Sequence, residues 1–313
     1  MLRFVGRRLL QTVPVVVIMS FVVFAVTSLL PGDAARSVAG EGASQEQVDR
    51  IREQLGLDDN VFVRYVSWCG RLLRGDLGTS LTSGQSVREM LAIAVPVTAE
   101  LALLAILVAL LIGLPAGALT ATRRAGWIDT AVSGLALVGV SMPWFWLGLL
   151  LVLGLSLGLP WFPASGYTAF TTDPVDNLTH MVLPTLTVAV GLLALVLRQT
   201  RAALLNVMSE DYMRTATAKG LSRGRVVVRH GLRNALMPVV TVVGLQAGAL
   251  LGGAVITETV FGLPGLGRML VNGIFSRDYP VIQGAVLVIV LAVLAVNVVT
   301  DVLYAALDPR VQL

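Results

Sequence analysis

Residues 211–238 combine several cationic side chains with small residues, and they lie between two long apolar stretches. Within this segment, residues 212–219 predict a short helix, and Gly220 predicts the end of that helix. Thr215 and Ala216 are small, and small side chains on an exposed helix let another protein surface approach the helix backbone closely. The segment therefore predicts a protein-docking site. Its cations are Arg214, Lys219, Arg223, Arg225, Arg229 and Arg233.

A second helix is predicted to begin after Ser222, whose side chain can cap it, and to stop at Pro238. A basic loop between two apolar stretches is also typical of the cytoplasmic side of a membrane protein. Positive residues near the ends of spans are retained on that side during insertion. We therefore expect residues 205–235 to form a cytoplasmic loop.

The patterns of common catalytic and metal sites are missing from the sequence. No GxxxxGK[ST] motif occurs, so the chain does not bind ATP through a P-loop, and the absence of HExxH and GxSxG argues against a protease. A single cysteine, Cys69, excludes an intrachain disulfide, while His180 and His230 lack a ligand-like spacing. The glycine-rich turn at 261–267 belongs to no nucleotide-binding unit. We expect no enzymatic activity, no cofactor and no metal in this chain.

The composition is that of a membrane protein. Hydrophobic residues make up 56% of the chain and charged residues 13%, and the mean hydropathy is +0.81. A pI near 9.7 would also suit a nucleic-acid-binding protein. The positive charges lie in the loops between apolar runs rather than along one face, so no nucleic-acid partner is expected.

Six segments are long enough to cross a hydrocarbon core of about 30 Å, which takes about 20 mostly apolar residues. The sequence predicts an all-α membrane protein with six transmembrane helices, both termini cytoplasmic, and a helical extracytoplasmic domain between helices 1 and 2. The first span resembles a signal peptide, but its length favours an uncleaved anchor. The predicted spans are about 9–30, 96–120, 128–157, 183–204, 236–260 and 281–305. The predicted domains are 1–30, 31–95, a five-helix core at 96–305, and a cytoplasmic tail at 306–313.

The long segment 31–95 predicts two helices. Residues 44–47 read as a capping box that opens a helix through about Leu55, with Gly56 as its stop. Residues 62–73 alternate apolar and basic side chains with helical periodicity, so one face of this second helix is expected to be buried. Two roles stay open for the domain: a cap that rests on the membrane or on neighbouring spans, and a landing platform for an external partner.

Polar residues within the predicted spans are expected to form hydrogen bonds between helices, because such groups are costly in lipid. None of the carboxylates lies clearly near the midplane, which argues against a proton-coupled secondary transporter. These residues are Glu100, Gln199, Gln246, Glu258, Asn297 and Asp301.

Several motifs, taken together and in order, resemble one family over nearly the whole chain. The sequence is similar to inner-membrane permease subunits of ABC importers, in the branch that handles dipeptides, oligopeptides and nickel. The motifs are LRFVGRRLLQTVPVV at the start, LLPGD after the first span, LRGDLGTS, PVTAEL, DYMRTATAKGLS with RHGLRNALMPV, TETVFGLPGLG, and ALDPRV near the end.

The resemblance implies that residues 211–238 are the EAA-type coupling loop, whose short helix docks on an ATPase subunit. Two departures from the general signature, Arg214 in place of an acidic residue and a long interval from Gly220 to Pro238, are usual in the peptide and nickel branch. The residues implied to couple are Tyr212, Arg214, Thr215, Ala216, Lys219, Gly220 and Leu221.

The same resemblance implies a multi-pass protein of the prokaryotic inner membrane that works by alternating access. Its implied partners are a second homologous permease subunit, two cytoplasmic ATPases that bind ATP and Mg²⁺, an extracytoplasmic solute-binding protein, and membrane lipid. Peptides are favoured as the substrate because the chain offers no metal-ligand cluster. Nickel remains open, and a secondary transporter is a more distant alternative. Neither the exact substrate nor the residues that line its pathway are identified by the sequence.

Overall fold

The computed structural model describes residues 2–28, 34–39, 42–54, 56, 58–122 and 126–307. These residues form helices joined by turns, and among them the only β-type pairing is a single bridge between Thr79 and Ser86. The helices are α1 (Leu2–Ser28), α2 (Ala34–Ala39), α3 (Gln45–Gln54), α4 (Val61–Leu73), α5 (Val87–Thr122), α6 (Trp127–Ser141), α7 (Trp144–Leu151), α8 (Pro174–Met208), α9 (Asp211–Ala218), α10 (Arg223–Arg225), α11 (Arg233–Val260), α12 (Leu266–Ser276) and α13 (Tyr279–Leu307). Two π-helical stretches, Val152–Gly158 and Val226–Leu232, continue α7 and precede α11.

Five helical segments of the described chain are long and apolar enough to cross a membrane. Each corresponds to one of the six spans that the sequence predicts, so the expectation of an all-α membrane protein is confirmed. The side of the membrane on which each end lies stays a prediction. The segments are Gly6–Thr27, Val87–Thr122, Pro174–Met208, Val226–Gly252 and Tyr279–Tyr304.

The remaining predicted span, 128–157, is not one straight helix. Asp129–Ser141 and Trp144–Gly158 are bent by 108° at the break between them. The cause is Pro143, because a residue that precedes proline is driven out of the α region, and Met142 is extended there at φ −82° and ψ 126°. Each half is only about 20 Å long at 1.5 Å per residue, too short to cross the hydrocarbon core alone.

The chain divides into two compact units. The core unit consists of Met1–Val5, Ala99–Leu263 and Ala295–Leu313, and the N-terminal unit consists of Gly6–Thr98 and Pro264–Leu294. The loop containing Arg123 and Arg124, the Leu29–Asp33 motif and the predicted tail from residue 308 onward lie outside the described residues.

Helix α8 is the centre of the core unit, where it packs against α6, α7 and α11. Many of its side chains are buried, which explains why its sequence is apolar on most sides. Gly117 of α5 lies so close to α8 that a Cβ there would be 2.6 Å from the carbonyl oxygen of Leu197. Glycine is required at this position because only its missing side chain lets the two backbones approach, as is common between membrane helices.

In the N-terminal unit, α4 packs its aromatic face against α1. Phe24 and Trp68 are buried together with Leu287, and the Oη of Tyr65 lies 2.8 Å from the Oγ of Ser20. Partial burial raises the pKa of Tyr65, while its hydrogen bond with Ser20 acts in the opposite direction. The expected buried face of the 62–73 helix is thereby confirmed except at its end, where Leu73 is 89% exposed, and this packing supports the role of a cap on neighbouring helices.

The capping box is also confirmed. The amide of Gln47 donates to the Oγ of Ser44 at 3.3 Å, and the amide of Ser44 donates to the Oε1 of Gln47 at 2.8 Å. The helix that they open ends at Gln54, and Gly56 follows at φ +62°. Leu55, expected at the end of this helix, lies outside the described residues.

Asp278 joins two distant segments of the N-terminal unit. Its carboxylate is buried and accepts hydrogen bonds from the Oγ of Ser80 at 2.5 Å and from the Oγ1 of Thr82 at 3.0 Å. The LRGDLGTS turn that precedes α5 is thus attached to the turn between α12 and α13.

Candidate functional site

The short helix α9 in the basic segment begins at Asp211 and ends at Ala218, close to the bounds predicted from the sequence. After it, the amide of Gly220 donates to the carbonyl of Thr217 at 3.0 Å, with Gly220 at φ +76°. This left-handed conformation strains any residue with a side chain, so glycine is the natural residue at the end of the helix. The predicted helix and its stop are confirmed.

One face of α9 is packed against its own chain. Met213 is 2% exposed and Ala216 is 9% exposed. Together with Val226 they form a small apolar cluster, against which Val207 and Met208 from the end of α8 also pack. Ala216 therefore faces inward. Its side chain contacts the loop's own core, and its implied role in coupling stays a prediction.

The opposite face of α9 is open. Arg214 and Asp211 form a weak ion pair at 3.8 Å with side chains 81% and 98% exposed, so this contact adds little stability. Tyr212 is also exposed, and its Oη accepts a hydrogen bond from the Nδ2 of Asn234 at 2.9 Å. Of the seven predicted coupling residues, Ala216 is buried and Leu221 is half-buried. The exposed ones are Tyr212, Arg214, Thr215, Lys219 and Gly220.

The second helix of the segment differs from the prediction. It does begin after Ser222, whose carbonyl accepts from the amide of Val226 at 3.0 Å. It does not stop at Pro238, which lies inside α11. Proline removes one hydrogen bond, but its φ is helical, and a helix packed among others can satisfy the freed carbonyl. The basic segment therefore runs without interruption into a membrane helix.

The base of the loop is anchored among three long helices of the core unit. Ala121 of α5, Leu204 of α8 and Ala235 of α11 belong to one buried cluster, which Val227 joins from the loop. Leu204 is fully buried. Since protein interiors are close-packed, this cluster holds the base of the loop firmly against the three helices.

Two features of the core unit, an ion pair and the cavity beside it, were not predicted from the sequence. Asp129 of α6 and Arg201 of α8 form a paired contact, with Nε to Oδ1 at 3.0 Å and Nη2 to Oδ2 at 2.8 Å. Next to them, Arg198 and Gln199 line a cavity of about 590 Å³. The available signal was two arginines within the predicted span 183–204, where a charged side chain is costly and usually has a functional or structural partner.

The predicted hydrogen bonds between helices hold only in part. Glu100 of α5 accepts from the Oη of Tyr167 at 2.9 Å, and Tyr167 lies on the connection between the π-helical stretch and α8. Burial, followed by this contact with a carboxylate, raises the pKa of Tyr167 to about 12. Glu258 is fully buried.

Within the described residues, no group of three or more His, Cys, Asp or Glu side chains is placed to hold a metal ion.

This arrangement of apolar helices with an anchored basic loop is that of a membrane protein with several spans. The chain belongs to the family of binding-protein-dependent transport system inner membrane components, whose model matches residues 113–313. Residues 1–102 match the model of the N-terminal part of such components. The family is that of permease subunits of bacterial ATP-driven importers, which are multi-pass proteins of the inner membrane and not enzymes. ATPase and substrate-binding proteins are separate components of these systems.

Relatives of similar length agree with this assignment. A Brucella abortus (strain 2308) protein named as a peptide transport system permease is 44% identical over 306 residues, 98% of each chain. The glutathione transport system permease GsiC of Escherichia coli O6:H1 is 42% identical over 312 residues, 100% of this chain and 99% of that one.

Among solved structures, a chain of the MetNI methionine ABC transporter in an inward-facing conformation matches with a TM-score of 0.58. It is 20% identical and covers 71% of this chain and 97% of its own. At this identity the match supports the fold alone.

Proposed function

We propose that this chain forms half of the membrane pathway of a peptide importer, together with a second homologous permease subunit. The relatives that cover the chain from end to end are named for peptide and glutathione transport, which supports peptides as the substrate class. Nickel, the alternative within the same branch, has no such support. The importer works by alternating access, driven by ATP and Mg²⁺ bound in two cytoplasmic ATPase subunits.

In this proposal α9 is the coupling helix that docks on an ATPase. The observation that carries the proposal is the two-sided character of α9. Its inner face, with Met213 and Ala216, is packed on the end of α8, while its outer face, with Arg214 and Thr215, is exposed. Coupling requires a contact whose free energy differs between the two states of the transporter, and a helix held rigidly in a moving groove meets this requirement.

The proposal fixes the topology as well. With the bent pair at residues 128–157 taken as one crossing, docking of α9 on cytoplasmic ATPases puts residues 205–235 and both termini in the cytoplasm and residues 31–95 outside. That domain then receives the solute-binding protein, while its helix α4 rests on α1.

Thr215 is the position of choice for the test, because changes at Ala216 or Gly220 would damage the loop itself. Thr215→Trp adds bulk to the outer face, and Thr215→Val is the size-matched control. We expect the wild-type complex and the Val variant to import peptides in proteoliposomes. The uptake by the Trp variant should fall at least about tenfold, and less ATPase should remain bound to it on purification. The reason is that a bulky side chain at a central interface position disrupts the contacts that carry most of the binding energy.

Ala216→Leu provides the contrast, since it should lower the thermal stability of the complex by overpacking the loop core. A Thr215→Trp complex that retained its ATPases and imported at the wild-type rate would contradict docking through this face. A wild-type complex that failed to import peptides would contradict the substrate class alone.

A further inference from the structure

Arg198 is a cation whose charge is unbalanced within the described part of the chain. It lies inside the predicted apolar span 183–204, three residues before Arg201. The guanidinium of Arg201 is matched by Asp129. For Arg198, which is exposed, the described residues supply no ion pair or hydrogen bond. A charged side chain at such a position faces a protein interior or a water-filled cavity, because lipid would not solvate it.

The surroundings of Arg198 form a cavity with mixed chemistry. Leu195, Arg198, Gln199 and Ala202 follow one face of α8 at helical spacing, and all four line the cavity of about 590 Å³. Ser133 of α6 and the half-buried Gln199 add polar groups beside the guanidinium. The volume lies within the range of about 300–1,000 Å³ that is usual for small-molecule sites, so a short peptide fits by size.

The ion pair next to the cavity determines which charge the site presents. Both carboxylate oxygens of Asp129 accept hydrogen bonds from Arg201, and the Oγ of Ser133 donates to the Oδ1 of Asp129 at 3.4 Å. The acidic group is therefore committed to Arg201, and the site keeps a net positive charge from Arg198. A guanidinium binds a carboxylate through two parallel hydrogen bonds, which makes a carboxylate the fitting ligand.

The geometry points to Arg198 as a binding residue for the carboxylate of the transported peptide, with Gln199 and Ser133 as neighbouring polar contacts. This inference rests on the proposed function, because it assigns a role to one residue on the pathway of a peptide importer. It identifies a residue that selects for a free carboxyl group during translocation, in addition to any selection by the solute-binding protein.

The experiment compares two substrates that differ only at the carboxyl end. Uptake of dialanine and of dialanine amide is measured with the assembled importer in proteoliposomes and normalised to the fraction of binding protein that each substrate loads. Three versions of the chain are compared: wild type, Arg198→Gln and Arg198→Lys. Lysine keeps the charge but loses the two parallel hydrogen bonds, so it should restore part of the uptake.

We expect Arg198→Gln to lower the uptake of dialanine about tenfold, equivalent to about 1.4 kcal/mol, and to change that of the amide less than about twofold. An equal loss for both substrates would overturn the inference, because it would assign Arg198 to pairing with the second permease or with a lipid phosphate. Unchanged uptake of both would also overturn it. Failure of the wild type to import either substrate would instead contradict the proposed peptide substrate class, and with it this inference.

Discussion

The ion pair between Asp129 and Arg201 can be tested by removing one charge at a time. It holds the first half of the bent helix pair to α8, with two hydrogen bonds of 3.0 and 2.8 Å. The side chain of Asp129 is 12% exposed and that of Arg201 is 34% exposed. Asp129→Asn leaves the guanidinium in place with no counter-charge, while the shape of the contact is nearly unchanged.

The expected cost lies between two limits. Removing one partner of a fully buried pair costs about 3–5 kcal/mol, whereas an exposed pair contributes at most about 1 kcal/mol. Since about a third of the arginine is accessible to solvent, we expect Asp129→Asn to lower the stability by about 2 kcal/mol. At about 2 °C per kcal/mol for a chain of this size, the Tm should fall by about 4 °C.

The assay follows the core unit directly, because four of the five tryptophans of the chain belong to this unit, as does the ion pair. Their fluorescence reports the unfolding of the core unit as the purified protein is heated in detergent. The double variant Asp129→Asn with Arg201→Gln removes both charges, and it should be less destabilised than the sum of the two single variants. A Tm for Asp129→Asn within about 1 °C of wild type, or strict additivity in the double variant, would refute the reasoning.

Two further predictions concern other buried polar contacts. Asp278→Asn puts an NH₂ group where one carboxylate oxygen now accepts from Ser80 and Thr82. We expect the stability to fall by about 1–3 kcal/mol and proteolysis of the turn before α5 to become faster. Unaltered proteolysis would count against this attachment. Tyr167 has its pKa raised to about 12, above its ordinary value of 10.0, so the stabilisation from its protonated form is complete below pH 10 and is lost as the pH rises towards 12. Tyr167→Phe should remove one tyrosinate absorbance step near pH 12, and a missing step nearer pH 10 would contradict the burial beside Glu100.

The basic segment illustrates how much could be predicted of the site. The helix at 211–218 and its end at Gly220 follow from local rules of helix termination, which need no tertiary information. The orientation of that helix does not follow from such rules. Whether Ala216 faces a partner or its own chain depends on Met208 and Val226, which approach it only in the folded protein. The continuation of the next helix through Pro238 likewise does not follow from local rules, because a helix packed among other helices tolerates an internal proline.

The bent helix pair in the third predicted span is a second feature that the sequence predicts only in part. The apolar composition of residues 128–157 predicts a membrane segment, and Pro143 marks the place where a helix is weakened. Composition cannot distinguish a kinked span from two short helices bent by 108°, because the angle is set by packing against α8 and α11.

By itself, the sequence determined the membrane class, the approximate spans, the basic loop with its short helix and, through its ordered motifs, the family. These depend on hydropathy and on local patterns, which are read over a few turns of chain. The tertiary structure alone decided which face of α9 is free, that Asp129 neutralises Arg201, and that Arg198 is left as the cation of a cavity. Residues 129 and 201 are far apart in the chain, so only packing could bring their charges together.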